Sequence, residues 1–432
     1  MRTTRREFIR NGLTFLSFGM MAPSSLVRAA AELTDENGRA KAGTGNILVV
    51  LQMFGGNDGL NTLIPYTNPL YYQNRPTIGI PKEQVLPISN SVGLHPSMSA
   101  LQQLFEKGHV AVVQGVGYPN PNFSHFRSQE IWQTADPVST VVREGWLGRY
   151  FDDDGHLREN PLAGINIGGE LPRALYSDFG SVVSMQNPNA FQLQTIAPAE
   201  HNAEIAAFTA LYSQGTMANS TDDLVRKLGL EAYTCSERIR KALQAEANQQ
   251  DDEPGSPTGR TLDAPSYVGR TGQMSPLARN LHTIAQLIKA DLGTKIFYVS
   301  TGGFDTHANQ FPTQARLLQD LSDSLAAFYA ELEQIGVADR VTLVTFSEFG
   351  RRVQENASGG TDHGAGSCLF VMGGAVRGGF YGEYPPLDDL YLGNLKFNVD
   401  FRQVYATLLD KWLGVSPQKI LNGSFTNLPL FA

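Results

Sequence analysis

The sequence predicts an α/β fold built on a mainly parallel sheet, and three observations lead there. Two apolar runs, 296–300 and 341–346, flank a helical pattern in which Leu317, Leu318, Leu321, Leu325, Phe328, Tyr329, Leu332 and Ile335 recur every three or four residues. A crossover helix returns the chain to the same edge of the sheet, so the strands on either side of it run parallel. Two further runs, 46–53 and 110–116, are apolar at nearly every position, as in strands covered on both faces. Each of these four runs feeds a segment rich in glycine or polar residues, and loops at the carboxyl ends of parallel strands line the ligand crevice of open α/β sheets.

Taken in order, the chain begins with Thr4-Arg5-Arg6-Glu7-Phe8-Ile9-Arg10, a weakly apolar stretch from Gly12 to Pro23 and a small-residue site at Ala29 to Ala31. That is the make-up of a twin-arginine signal peptide over residues 1–31, followed by a linker at 32–45. The expected location is therefore periplasmic or secreted, with the twin-arginine export machinery as a partner. The first strand, 46–53, runs into Phe54-Gly55-Gly56-Asn57-Asp58-Gly59, where glycines let the backbone turn sharply. A helix follows from His95, carrying Met98, Leu101, Leu104 and Phe105, and then the strand 110–116.

Its exit loop leads to Ser124-His125-Phe126-Arg127, with Ser124 where a helix N-cap would stand. From about 145 to 275 the periodicity fades, and this region reads as an insertion or cap within a domain spanning 46–432. The alternation resumes with a helix bearing Leu277, Leu281, Ile284, Leu287 and Ile288. After the central strand, helix, strand unit come a strand at 367–372 and a last helix bearing Phe401, Val404, Tyr405, Leu408, Leu409 and Trp412.

Composition narrows the partners. The chain has 432 residues with 41% hydrophobic and 18% charged content, globular values, and no apolar run long enough to span a membrane. The signal segment carries five Arg and one Glu, so its removal takes the formal net charge from −8 to −12. An acidic balance of that size argues against nucleic acid or an anionic membrane surface as partner. Of the two cysteines, Cys368 lies in an apolar run and reads as a buried free thiol, although an oxidising compartment leaves pairing with Cys235 open.

The chemistry concentrates on the strand-exit loops. Asp305-Thr306-His307 offers a carboxylate and an imidazole two positions apart, and His363 in Gly360-Thr361-Asp362-His363-Gly364 supplies a third donor. Such donors suit Zn²⁺ or Mn²⁺ in an open three-ligand site. Asp58 and Glu348 are candidate ligands of a second cation, and two cations can clamp the attacking and leaving oxygens of a phosphate or sulfate ester. Ser124 is a candidate nucleophile or only a cap. His125 beside it joins the candidate catalytic set, Arg351 is a candidate oxyanion holder and Thr62 a weaker nucleophile.

These motifs together resemble the exported bacterial family labelled domain of unknown function 1501, over nearly the whole chain after the signal. That family is in turn similar to the alkaline phosphatase and sulfatase superfamily. The resemblance implies an alkaline phosphatase-like three-layer α/β/α core, Asp305, His307 and His363 on one metal, Asp58 on a second, and Ser124 at the nucleophile position. It departs where Glu348-Phe349-Gly350 replaces the usual Asp-His-Gly, which removes an imidazole from the second metal. The expected function is an exported metal-dependent hydrolase of phosphate or sulfate esters, with a small ester or polysaccharide-like substrate. The alternatives are a one-metal hydrolase using water, and a non-catalytic periplasmic binding or envelope-associated protein that keeps the fold.

Overall fold

The computed structural model describes residues 45–139, 142–187, 191–193, 200–213, 221–251, 267–268 and 272–431. The twin-arginine segment and nearly all of the linker lie outside the described residues. The main sheet has nine strands: β1 Ile47–Met53, β2 Val110–Gly117, β3 Gly164–Ile167, β4 Val183–Met185, β5 Ile296–Thr301, β6 Val341–Phe346, β7 Ser367–Gly373, β8 Gly379–Tyr381 and β9 Val399–Asp400. Their order is β8-β2-β7-β6-β1-β5-β3-β4, with β9 also on β2. Strand β7 pairs antiparallel with both β2 and β6, and the remaining pairs are parallel.

The sheet is the middle of three layers. All seven residues of β1 are buried, because both of its faces are covered. Ile47, Val49, Leu51 and Met53 point into one core with helices α1 Ser99–Glu106, α6 Pro276–Lys289 and α7 Gln310–Gln334. Leu48 and Val50 point into the other, with α2 His125–Thr134, α3 Trp146–Asp154 and α8 Phe401–Thr407. Helix α7 starts seven residues before Leu317 and carries Leu318, Leu321, Leu325 and Phe328 on its buried stripe. Helix α8 runs on into a π-helical turn at Leu408–Trp412, which keeps Leu408, Leu409 and Trp412 buried, and a short helix Pro417–Leu421 follows. Two small sheets lie beside this core, one of them a hairpin of Leu390–Tyr391 and Asn394–Leu395.

Part of the region 145–275 is built into the main sheet and its core. Strand β3 pairs with β5 and β4 extends that edge, while Trp146, Leu147, Tyr150 and Phe151 of α3 are core residues. Strands of four and three residues carry no clear period, so the sequence pattern does not reveal them. Helices α4 His201–Ser213 and α5 Thr221–Asp251 follow, and Cys235, Ile239 and Leu243 of α5 join the core cluster of α6. Both cysteines are free and buried.

Candidate metal centre

Four loops meet at one rim of the sheet, at the carboxyl ends of β1, β2, β5 and β6. Because β7 is antiparallel, the loop that enters it lies at the same rim, which is how His363 arrives there. Two glycines allow the close approach. A Cβ on Gly360 would stand 2.3 Å from the His307 carbonyl carbon, and one on Gly364 would stand 2.3 Å from that of Arg351. The backbone of Thr361 donates to Thr306 at 3.2 Å, so the two histidine loops are stitched together.

Asp305 is the focus. Its Oδ1 is 3.1 Å from His307 Nε2 and 3.3 Å from His363 Nε2, and its Oδ2 is 3.4 Å from His125 Nε2. The Nε2 atoms of His307 and His363 are themselves 2.9 Å apart. Burial alone would raise the Asp305 carboxyl, but the Arg351 hydrogen bond and charge, then His363 and His307, outweigh it and hold the pKa down at about 2. The group is therefore a carboxylate at neutral pH.

The outward nitrogens each have a partner. His363 Nδ1 lies 2.7 Å from the Phe123 carbonyl oxygen, which can only accept, so Nδ1 donates. His125 Nδ1 lies 2.8 Å from Oε1 of Glu348, a fully buried carboxylate that also accepts from the Gly55 N–H at 2.9 Å. His307 Nδ1 lies 3.3 Å from Asp362 Oδ1. Rings held this way would turn three Nε2 lone pairs toward a bound cation, the usual arrangement of metal-bound histidines with their outer partners. Tetrahedral donors at zinc bond lengths stand about 3.3 Å apart, and His307 Nε2, His363 Nε2 and Asp305 Oδ1 lie 2.9, 3.1 and 3.3 Å from one another.

Among the described residues, His125, Asp305 and His363 form a mutually close metal-ligating group, and His307 adjoins it at 2.9 Å from His363 and 3.1 Å from Asp305. Asp305 and His307 each keep 45% of their side chain exposed, so the centre opens to solvent on one side. Zinc can take a further ligand there.

The structure brings Asp305, His307 and His363 together as expected and adds His125, which the sequence places in the catalytic set rather than on a metal. The signal for it is its position just after a buried strand and loop. Asp58 and Glu348 do not join the cluster. Asp58 is buried against Arg75, whose Nη1 and Nη2 reach its two oxygens at 2.5 and 3.0 Å, and Gln310 donates to it at 2.5 Å. Glu348 stands behind His125 as its orienting partner.

The ring of Phe349 packs 4.8 Å from that of His125 and 4.4 Å from that of His363, an apolar wedge where a second imidazole would be needed. These residues do not fit a second cation. Arg351 is fully buried and donates to the carbonyls of Gly55, Gly56, Phe304 and Thr361 as well as to Asp305. With its fork spent on backbone, it clamps the rim rather than holding a substrate oxyanion. Thr62 is buried and bonded to Asn57 and the Asp58 carbonyl. Ser124 is exposed at the N-cap of α2 with no side-chain cap bond.

A cavity of about 370 Å³ adjoins the cluster, lined by His307, His363, Asp362, Arg352, Phe123 and Leu392 among others. Nothing in the local sequence pattern of Arg352, Phe123 or Leu392 marks them as lining residues.

Residues 111–425 match the family model described as "Protein of unknown function (DUF1501)". No curated protein matches the chain. Among solved structures, the PsFucS1 sulfatase from Pseudoalteromonas sp. is 13% identical, with 99% of this chain and 76% of that chain covered and a TM-score of 0.37. A protein in the alkaline phosphatase superfamily from Vibrio parahaemolyticus is 8% identical, over 97% and 78%, at 0.36. The lipoteichoic acid synthase LtaP from Listeria monocytogenes is 9% identical, over 96% and 80%, at 0.36. None of these likenesses lends the chain an activity.

Proposed function

The chain belongs to the DUF1501 family of proteins of unknown function, and from that premise we propose that it is an exported, metal-dependent hydrolase of phosphate or sulfate esters built on one metal centre. The observation that carries this reading is the convergence of His125, His307 and His363 Nε2 on Asp305, each ring fixed by an outward Nδ1 partner. A bound Zn²⁺ or Mn²⁺ would supply Lewis-acid polarisation of an ester oxygen.

The chain's own groups do the rest. Glu348 holds the His125 ring in place, and Arg351 fixes Asp305 as an anion with the loops of Gly55 and Thr361 around it. Ser124, with an exposed hydroxyl next to His125, is the nucleophile in this reading. Its oxygen forms the new bond to phosphorus or sulfur as the ester oxygen leaves, and its proton passes to solvent or the leaving group. Water attacking in its place is the second reading, favoured by the position of Ser124 at a helix N-cap, where a serine is commonly structural.

Elemental analysis of protein recovered from the periplasm, with assays on aryl phosphates and sulfates, tests the proposal. One equivalent of divalent metal, lost with turnover in His363→Ala, is the expected result. Turnover that survives in Ser124→Ala assigns the attack to water. A folded, metal-free protein with no hydrolysis assigns the fold to binding instead. Export is tested by fractionation of the full chain, which should remain in the cytoplasm when Arg5 and Arg6 are both changed to Lys.

A further inference from the structure

Arg352 differs from its buried neighbour. Its backbone is held on both sides, donating to Asp362 at 3.0 Å and accepting from Arg75 Nη2 at 3.0 Å, while its side chain is exposed beside the cavity. Its Nη2 donates to the Leu392 carbonyl at 3.0 Å. Among the described residues its Nε and Nη1 make no hydrogen bond, so most of the N–H groups of the guanidinium are unspent. Its positive charge also helps lower the Asp362 carboxyl, after the Asn356 hydrogen bond and the His307 contact.

The hairpin that braces Arg352 is strained in a way its own stability does not explain. Leu392 and Gly393 form the turn with φ of +52° and +80°. Two positive φ values are the pattern of a turn that favours Asn-Gly, and a leucine there is costly. Leu392 is nonetheless 70% exposed and lines the cavity opposite His307 and His363. Gly393 matches the guanidinium closely, since a Cβ there would stand 2.7 Å from Arg352 Nη2. An exposed apolar residue kept in an unfavourable conformation points to use rather than to folding.

We propose that Arg352 recognises the oxyanion of the substrate by the N–H groups that its bond to Leu392 leaves free, and that Leu392 and Phe123 wall the cavity for an alcohol portion with a flat apolar face. The substrate class is then an anionic ester of an aryl or ring alcohol. This deepens the hydrolase reading and rests on it for the reaction, but the recognition of the anion can be measured without turnover.

The experiment is calorimetric titration of inorganic phosphate and sulfate into metal-loaded and metal-stripped protein, with metal content measured alongside. Arg352→Met is expected to weaken the anion about tenfold to a hundredfold with metal content unchanged, as loss of a charge-assisted pair does. Arg352→Lys should recover part of the loss, since it restores charge but not the fork. Leu392→Asn suits the turn, so its Tm should match or exceed the parent's, while a 4-nitrophenyl ester binds more weakly and inorganic phosphate binds as before. Anion affinity unchanged in Arg352→Met, or no anion binding to the parent protein at millimolar concentration, overturns the proposal. Unchanged binding of the aryl ester to Leu392→Asn overturns the apolar wall. A protein that takes no metal but still loses its anion with Arg352→Met sinks the hydrolase reading and keeps this one.

Discussion

Glu348 lies fully buried behind His125 and accepts from both the Gly55 N–H and the His125 ring. A neutral amide there cannot polarise the ring as a carboxylate does. Glu348→Gln should therefore weaken the metal about tenfold to a hundredfold while the protein stays folded, as loss of outer partners does at other metal sites. Competition with a fluorescent chelator reads the affinity and circular dichroism the fold. Arg351 is a different case, because five backbone and carboxylate acceptors would be left without a partner. Arg351→Ala should cost about 3–5 kcal/mol of stability by urea unfolding, so its loss of function would be a loss of structure. The convergence of Asp305, His307 and His363 on one rim was legible from sequence. The roles of Arg351 and Glu348 were not, because burial decides whether a charged group meets substrate or backbone, and the local pattern around either gives no burial.

At the scale of elements, the centre depends on how closely two loops approach. Gly360→Ala would set a methyl against the His307 backbone at 2.3 Å, where only a shift of the loop relieves the contact. The expected result is loss of metal with little change in Tm, read by elemental analysis and calorimetry. Helix α5 offers a test away from the site. Glu231 is pushed up to about 7 by burial, and its Oε1 has no hydrogen-bond partner. A raised carboxyl favours the folded state while protonated, so its contribution is complete below the unfolded value near 4.5 and is lost as pH rises through 7. Glu231→Gln does not titrate, so it should match the parent near pH 4.5 and exceed it in Tm by a margin that grows up to about pH 7. Equal pH profiles for the two proteins would rule this out. The periodic elements, β1, β5, β6 and α7, were legible because both faces of each strand and one stripe of the helix are apolar. β3 and β4 were not, since strands of four and three residues hold too few positions to show a period.

For the whole molecule, one sheet supports two cores and one rim, and the alternation along β1 divides its side chains between the cores. Leu51 is fully buried in the core under α6 and α7. Leu51→Ala should lower stability by about 2–5 kcal/mol, read by urea unfolding, with the metal stoichiometry of the folded fraction unchanged. The antiparallel β7 is the topological feature that completes the site, and no sequence signal marks strand direction there. The rim position of His363 was legible because its loop leaves the carboxyl end of β6, while its approach to within 3.3 Å of Asp305 emerges only in the folded chain. The most direct measurement is X-ray absorption at the metal edge on protein expressed from the full chain. One divalent metal per chain bound by imidazole nitrogens and a carboxylate at about 2.0–2.1 Å, with the imidazole signal reduced in His125→Ala, is the expected spectrum. A spectrum with no imidazole shell, or a folded protein that takes up no metal, would contradict a centre built on Asp305 and its three histidines.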